Sequence, residues 1–313
     1  MVPGINSGMM EFPLMFRTNT PRIAFIGFGE AGQAIASGLR DEGVTDISAW
    51  DIVFPKPEGE RLKAAGAQAG VRLATSAADA VAGSDIVVSA VTAASSLEAA
   101  QSAVHHLSGH PYYLDINSVS PGRKIATAAL LGDKARYVDV AVIAPIHPKR
   151  HQTPMLVAGP HAQAIAPVLA EIAMQLKIVS DETGKAAAIK MIRSVMIKGI
   201  EALTYECFLA AERAGLLEEV TVSLKNNYPG IDWRETTTYN LERMASHGER
   251  RAAEMEESAA TLRELGLDPR MTDGTVAHQR EMGQLGKADP VRKTLDKDRA
   301  EILAAIDKIK FDA

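Results

Sequence analysis

From Arg22 to about Ser180 the chain alternates short apolar runs with Ala-rich stretches of helical length. The runs lie at 22–26, 46–50, 85–91, 112–116 and 137–143, with two shorter ones at 155–158 and 177–179. Most are apolar at successive positions rather than at every second one, which marks strands buried on both faces. Between them, 31–42, 95–106 and 161–175 are long enough for helices. Strand and helix in alternation predict a doubly wound parallel sheet covered on both sides. Near Asp181 the pattern changes. Residues 184–214 contain no proline and a single internal glycine, Gly199, and apolar positions surround most of the helical circumference. Such a helix is buried by other helices or by a second subunit. Beyond Gly215 the pattern stays helical, with loops at 226–232 and 266–273 and a denser distribution of charge.

A length of 313 residues suits two domains. The pattern divides them into 21–180, α/β, and 181–313, all-α, with a loose leader at 1–20 whose scattered apolar residues are interrupted by Glu11 and Pro13. A net charge of −5 argues against a chain-wide basic surface for nucleic acid or anionic lipid. The single Cys207 excludes an internal disulfide and fits a reducing cytoplasm, where it is expected as a buried small hydrophobe. No stretch approaches the ~20 apolar residues that span a bilayer. The eight histidines form no compact ligand spacing, so no required metal is expected.

Gly27-Phe28-Gly29-Glu30-Ala31-Gly32 reads G-x-G-x-x-G directly after the first strand and at the start of a helix. That context is the one in which the first glycine allows a tight turn, the second lets a pyrophosphate approach, and the third lets helix pack on strand. Asp51 follows the second strand, where a carboxylate accepts from a ribose 2′-hydroxyl and disfavours a 2′-phosphate. NAD is therefore mildly preferred over NADP, although Lys56 and Arg61 stand close enough in sequence to reorganise around a phosphate. Val91 and Thr92, at the end of the apolar run that closes at 91, complete the expected cofactor edge.

Lys190 has apolar neighbours at i−4, i−3 and i+1, with Ser194 one turn on and Lys198 two turns on. A desolvated lysine loses affinity for its proton and suits general acid–base work. A lysine that snorkels to solvent fits the same pattern, and the residues alone leave both readings open.

Taken together, the glycine loop, the segment Asp115-Ile116-Asn117-Ser118-Val119-Ser120-Pro121 and the Gly-x-x-x-x-x-Lys run from Gly184 to Lys190 resemble the β-hydroxyacid and 6-phosphogluconate dehydrogenases. The resemblance runs from about Arg22 over nearly the whole chain. It implies a Rossmann-type domain, a long interdomain helix and a divergent all-α C-terminal domain that forms a homodimer. It also implies that Lys190 is the catalytic lysine, and that Asn117 and Ser118 orient substrate oxygens. Four departures mark a variant branch, and the first is Asn117 itself, which stands at the leading position of the family's hydroxyl pair. Ser194 stands where the family usually has asparagine, and Ala144-Pro145 replaces a Gly-Gly cradle for the substrate carboxylate. Ala253-Glu254 replaces a Lys-Asp pair. The cation for a substrate carboxylate is then sought in the loop 147–151, through His147, or on one helix face carrying His247, Arg250, Arg251 and Glu254. Trp233 and Tyr239 are candidate pocket walls.

The expected activity is a nicotinamide-dependent oxidoreductase acting on a small 3-hydroxy acid or the matching oxo acid or semialdehyde. Imine reduction on the same scaffold, and a dinucleotide-binding sensor without turnover, are the alternatives.

Overall fold

The structure is a computed structural model and describes residues 20–311; the expected leader, but for Thr20, lies outside the described residues. Eight strands form one sheet: β1 (Ile23–Ile26), β2 (Ile47–Trp50), β3 (Arg72–Leu73), β4 (Ile86–Ser89), β5 (Tyr112–Asp115), β6 (Arg136–Val142), β7 (Met155–Ala158) and β8 (Leu176–Ser180). Their order is β3-β2-β1-β4-β5-β6-β7-β8. The first six are parallel; β7 runs antiparallel to β6, and β8 parallel to β7. The chain winds outward from β1 to β3 and then returns beside β1 as β4. Connections therefore diverge between β1 and β4, opening a crevice at the carboxyl edge of the sheet. Apolar positions of β1 and β4 point to both faces, as the continuous runs require: Phe25 and Val88 join one core layer, Ala24 and Val87 the other.

One layer is roofed by α1 (Glu30–Asp41), α2 (Glu60–Gln68) and α6 (Ala162–Glu171); the other by α3 (Ala77–Val81), α4 (Ser96–Val104) and α5 (Pro121–Leu131). The two-residue β3 falls outside every apolar run of the sequence, because so short an edge strand carries no period of its own.

The helical half begins with α7 (Lys185–Arg213), 29 residues long. Then follow α8 (Leu217–Asn227), α9 (Trp233–Glu264), α10 (Arg270–Leu285), α11 (Asp289–Arg292) and α12 (Arg299–Phe311). Their core gathers Tyr205, Phe208, Leu241, Met244, Met282 and Ile302. Trp233 belongs here, with its ring 6.3 Å from Phe208 and 5.9 Å from Tyr228. Phe208 lies 18 residues beyond Lys190 on α7, roughly 27 Å along the helix at 1.5 Å per residue. Trp233 is thus a core residue and not a wall of a pocket at Lys190, and Tyr239 is exposed. Cys207 is exposed as well, on the outer side of α7, against the expectation of burial.

The start of α7 is fixed by a buried ionic cluster. Asp139 on β6 accepts at Oδ2 from the N–H groups of Gly184 (3.0 Å), Ala186 (3.0 Å) and Ala187 (3.2 Å). These are donors that a helix leaves without intrahelical partners. Lys124 on α5, fully buried, places its ammonium 3.0 Å from Asp115 Oδ1 and 3.7 Å from Asp139 Oδ1. Tyr137 donates to Asp115 Oδ2 at 2.9 Å. Three elements of the sheet half are thereby tied to the first turn of α7.

Crossing of α9 over α10 depends on glycine. A Cβ on Gly248 would lie 2.1 Å from the Gln279 carbonyl oxygen, and one on Gly283 would lie 2.5 Å from the Glu249 nitrogen. Backbone meets backbone at this crossing. Gly248→Ala should therefore force the helices apart and lower unfolding stability by about 2 kcal/mol, read from urea denaturation, an overpacking cost of ordinary size. An unchanged midpoint would contradict the crossing.

Candidate active site

At the carboxyl edge of β1 the glycine loop adopts the shape its sequence requires. Gly27 has φ +90°, and a Cβ there would lie 2.4 Å from the Ala90 carbonyl oxygen. A Cβ on Gly32 would lie 2.8 Å from the Gly27 carbonyl oxygen. Gly29 differs: apart from its own chain neighbours, no protein atom lies within 4 Å of where its Cβ would stand. Packing explains two of the glycines, and the space before the third is what a pyrophosphate requires. Gly29 also opens α1 without a side-chain cap, so the first-turn amides of Glu30, Ala31 and Gly32 face that space. These residues fit a dinucleotide.

Asp51 lies where its carboxylate shapes the loop. Its Oδ2 accepts from Phe28 N–H at 2.7 Å, and Oδ1 from Val53 N–H at 3.1 Å. A carboxylate has about four acceptor sites, so capacity is left for a ribose hydroxyl. Across the crevice Val91 N–H donates to Asn117 Oδ1 at 2.7 Å, and Asn117 Nδ2 donates to Ser89 Oγ at 2.9 Å. Both ends of the Asn117 amide are thus engaged in holding the ends of β4 and β5 together. Asn117 is buried, and here its amide ties the strand ends, whereas the family resemblance had it orient a substrate oxygen. Thr92 stays exposed at the edge.

Ser118, one residue on, is only half-buried, and its Oγ accepts a 2.5 Å hydrogen bond from Lys190 Nζ. The two come from segments 72 residues apart in sequence. Burial lowers the Lys190 amine to about 8; Lys198, Lys124 and Arg250 push the same way, and Glu254 opposes them. Further along the same face of α7, Lys198 Nζ lies 2.9 Å from Glu254 Oε2 and donates to Ser194 Oγ at 3.4 Å. Burial would raise Glu254, but Lys198, Lys190 and Arg250 outweigh it and hold the carboxyl at about 2. Ser194 is buried and serves Lys198.

The cationic face expected on α9 divides. Arg251 is buried and paired with Glu201 of α7, which also accepts from Gln279 Nε2 at 2.9 Å. It joins three helices and is not free for a substrate. His247 is half-buried, and burial together with Arg243 and Arg250 lowers its imidazole below the usual range, which keeps it uncharged near neutral pH. Arg250 is exposed, 3.8 Å from Glu254 Oε1, and remains as the cation of that face beside Lys190 and Lys198. The loop 147–151 turns elsewhere. Arg150 pairs with Asp41 at 2.6 Å, His151 approaches Glu42 at 3.3 Å, and His147 lines an open groove of about 900 Å³ with Glu30 and Arg61. Its ion pairs run to α1, and among the described residues none joins it to Lys190, so His147 is not brought to this site.

Two residues that hold the segment 115–121 escaped the sequence reading. Glu257 on α9 accepts from Ser120 N–H at 2.8 Å and pairs with Arg123 at 3.1 Å. Glu264 accepts from Ser120 Oγ at 2.8 Å and from Gly122 N–H at 3.0 Å. Their i, i+7 spacing was visible, but the α5 terminus that they cap was not.

Residues 22–118 match the family described as NADP oxidoreductase, coenzyme F420-dependent, and residues 211–282 match a domain of unknown function, DUF1932. A conserved hypothetical protein from Sinorhizobium meliloti 1021 is 36% identical over 94% of this chain and 98% of its own, with a TM-score of 0.75. The conserved protein MTH1747, described as structurally similar to 3-hydroxyacid dehydrogenases, is 31% identical over 84% of this chain and 97% of its own, with a TM-score of 0.67. The chain belongs to the β-hydroxyacid and 6-phosphogluconate dehydrogenase-like superfamily. Family and fold place it among NAD(P)-dependent oxidoreductases. The same fold is seen in Mycobacterium tuberculosis 3-hydroxyisobutyrate dehydrogenase with L-serine, 16% identical over 93% of this chain and all of that one, at a TM-score of 0.68.

The glycine loop yields a direct test. Gly29→Ala meets no protein atom, so its melting temperature should stay close to that of the parent while dinucleotide affinity falls about tenfold, roughly 1.4 kcal/mol. Unchanged affinity in titration calorimetry would show that Gly29 does not face the pyrophosphate.

Proposed function

We propose that this protein transfers a hydride between NAD or NADP and the 3-hydroxyl of a small 3-hydroxy acid, or reduces the matching oxo acid or semialdehyde, with Lys190 as general acid–base. The observation that carries this reading is the Lys190 amine, lowered to about 8 and hydrogen-bonded at 2.5 Å to the half-buried Ser118 hydroxyl. A substrate hydroxyl entering beside Ser118 meets an amine near neutrality, which is the condition for efficient proton exchange. In oxidation the neutral amine takes the hydroxyl proton. In reduction the ammonium donates to the developing alkoxide and stabilises its charge. Ser118 orients the reacting oxygen, Ser194 steadies Lys198, and Arg250 offers a guanidinium fork to the substrate carboxylate. When bound, the nicotinamide supplies the hydride acceptor or donor. The glycine loop and the first amides of α1 hold its pyrophosphate, Val91 and Thr92 border the nicotinamide, and Asp51 favours the unphosphorylated ribose of NAD.

The active form is proposed to be a homodimer. Ile189, Ile192, Met196, Ile197, Ile200 and Leu203 are 40–65% exposed along one side of α7. Such a stripe beginning beside Lys190 suits burial against a second copy. Met196→Glu should convert the dimer to monomer in analytical ultracentrifugation; a monomeric parent protein would refute it.

Nicotinamide absorbance, followed on mixing the protein with each dinucleotide and a panel of 3-hydroxy acids, tests the activity. Lys190→Ala should lower kcat by about 10²–10⁴, the usual contribution of a general acid–base, with dinucleotide affinity nearly intact. Oxidation by the parent protein should rise with pH through about 8, as the amine loses its proton. Equal loss of kcat and dinucleotide binding would contradict the role of Lys190. Binding of both dinucleotides without any turnover would favour a sensor, and turnover of cyclic imines alone would favour imine reduction.

A further inference from the structure

Three charged groups, linked to one another through Glu254, act on the charge of Lys190 and are not explained by its own chemistry. Lys198 stands two turns further along α7, and Glu254 and Arg250 project from α9. From α5 comes the charge of Lys124, already matched by Asp115 and Asp139. Ser118, the direct partner of the amine, is neutral. Glu254 is thus one carboxylate among three cations, Lys190, Lys198 and Arg250. Its side chain is 20% exposed and that of Lys198 only 7%, so water screens this pair weakly; Arg250, 58% exposed, is screened far more.

We propose that Glu254 is the positioning residue of the candidate site, the carboxylate that holds Lys198 in place and stabilises the protonated form of Lys190. The inference rests on the acid–base reading of Lys190. Without Glu254, two like charges would stand along one side of α7, and the amine would release its proton at lower pH, leaving less ammonium to donate in reduction. Without Lys198, the carboxylate would be opposed only by Lys190 and the exposed Arg250, and Lys190 would hold its proton more tightly. The pair therefore sets a balance in which both protonation states of Lys190 are accessible near neutral pH. The sign of each effect follows from Coulomb's law and does not depend on which substrate binds.

The test titrates the amine itself in the full chain, with no substrate present. The pH dependence of Lys190 acetylation by a limiting amine-directed reagent is followed by mass spectrometry of the peptide that carries it. In the parent protein the midpoint should lie at about 8. Glu254→Gln should move it down by about one unit, and Lys198→Met should move it up by a similar amount. Glu254→Asp, which keeps the charge, should restore the parent midpoint. Opposite signs distinguish electrostatic control from loosened packing, which would carry both variants toward the ordinary lysine value of about 10.4. Midpoints that stay put, or that both rise, would overturn the proposal. Should Lys198→Met fail to fold by thermal melting, Glu254→Gln carries the test alone, because loosened packing would raise its midpoint and the proposal lowers it. Failure of the acid–base reading shows separately, as turnover that survives Lys190→Ala.

Discussion

The site depends on one interaction: Asp139, at the carboxyl side of the sheet, receiving the amides of Gly184, Ala186 and Ala187. Lysine 190 lies one turn beyond that cap. Any rotation or slide of α7 would carry its amine away from Ser118, and the cap prevents both. Placing Asp139, Asp115 and Lys124 out of water is costly for each charge; Lys124 lies against both carboxylates and Tyr137 donates to Asp115, while burial still raises the Asp139 carboxyl above the usual carboxylate range. The same cluster fixes both halves of the site. Asp115 receives the Asn117 N–H at 3.0 Å and so shapes the turn that presents Ser118. A buried ion cluster is a poor source of stability but an effective way to specify one geometry, and here the geometry is that of an amine against a hydroxyl.

Helix α9 completes the arrangement from the other side. Glu257 and Glu264 grip the start of α5, while Glu254, one turn before Glu257, faces α7. One helix thereby braces the segment bearing Ser118 and contributes the carboxylate that pairs with Lys198. Movement of α9 would change position and charge balance together, which couples the shape of the cleft to the proton affinity of Lys190.

Local features were readable from the sequence alone. The G-x-G-x-x-G turn needs only its own strand and helix, so Gly27, Gly29 and Gly32 stand where the spacing put them. Continuous apolar runs gave away the parallel sheet because burial on both faces leaves no alternation. Features that depend on a neighbour were not readable. Helical spacing placed His247, Arg250, Arg251 and Glu254 on one face, yet a face spans enough arc to contact two different partners. Arg251 turns into the contact with Glu201, Glu254 toward Lys198, and Arg250 to solvent. Asn117 took the first place of a family hydroxyl pair, but its neighbours Ser89 and Val91 engage its amide. Likewise the loop at 147–151 supplied the right charges, and the acidic end of α1 used them.

The central claim is that a reacting hydroxyl meets Lys190 beside Ser118, opposite a dinucleotide held on the glycine loop. A crystal structure of the ternary complex, with dinucleotide and a slowly turned-over 3-hydroxy acid, tests it most directly. The account predicts the substrate hydroxyl within hydrogen-bonding distance of both Lys190 Nζ and Ser118 Oγ, with the carbinol hydrogen directed at the nicotinamide ring. A dinucleotide seated away from Gly29, or a substrate oxygen that leaves Lys190 bonded to Ser118 alone, would contradict it.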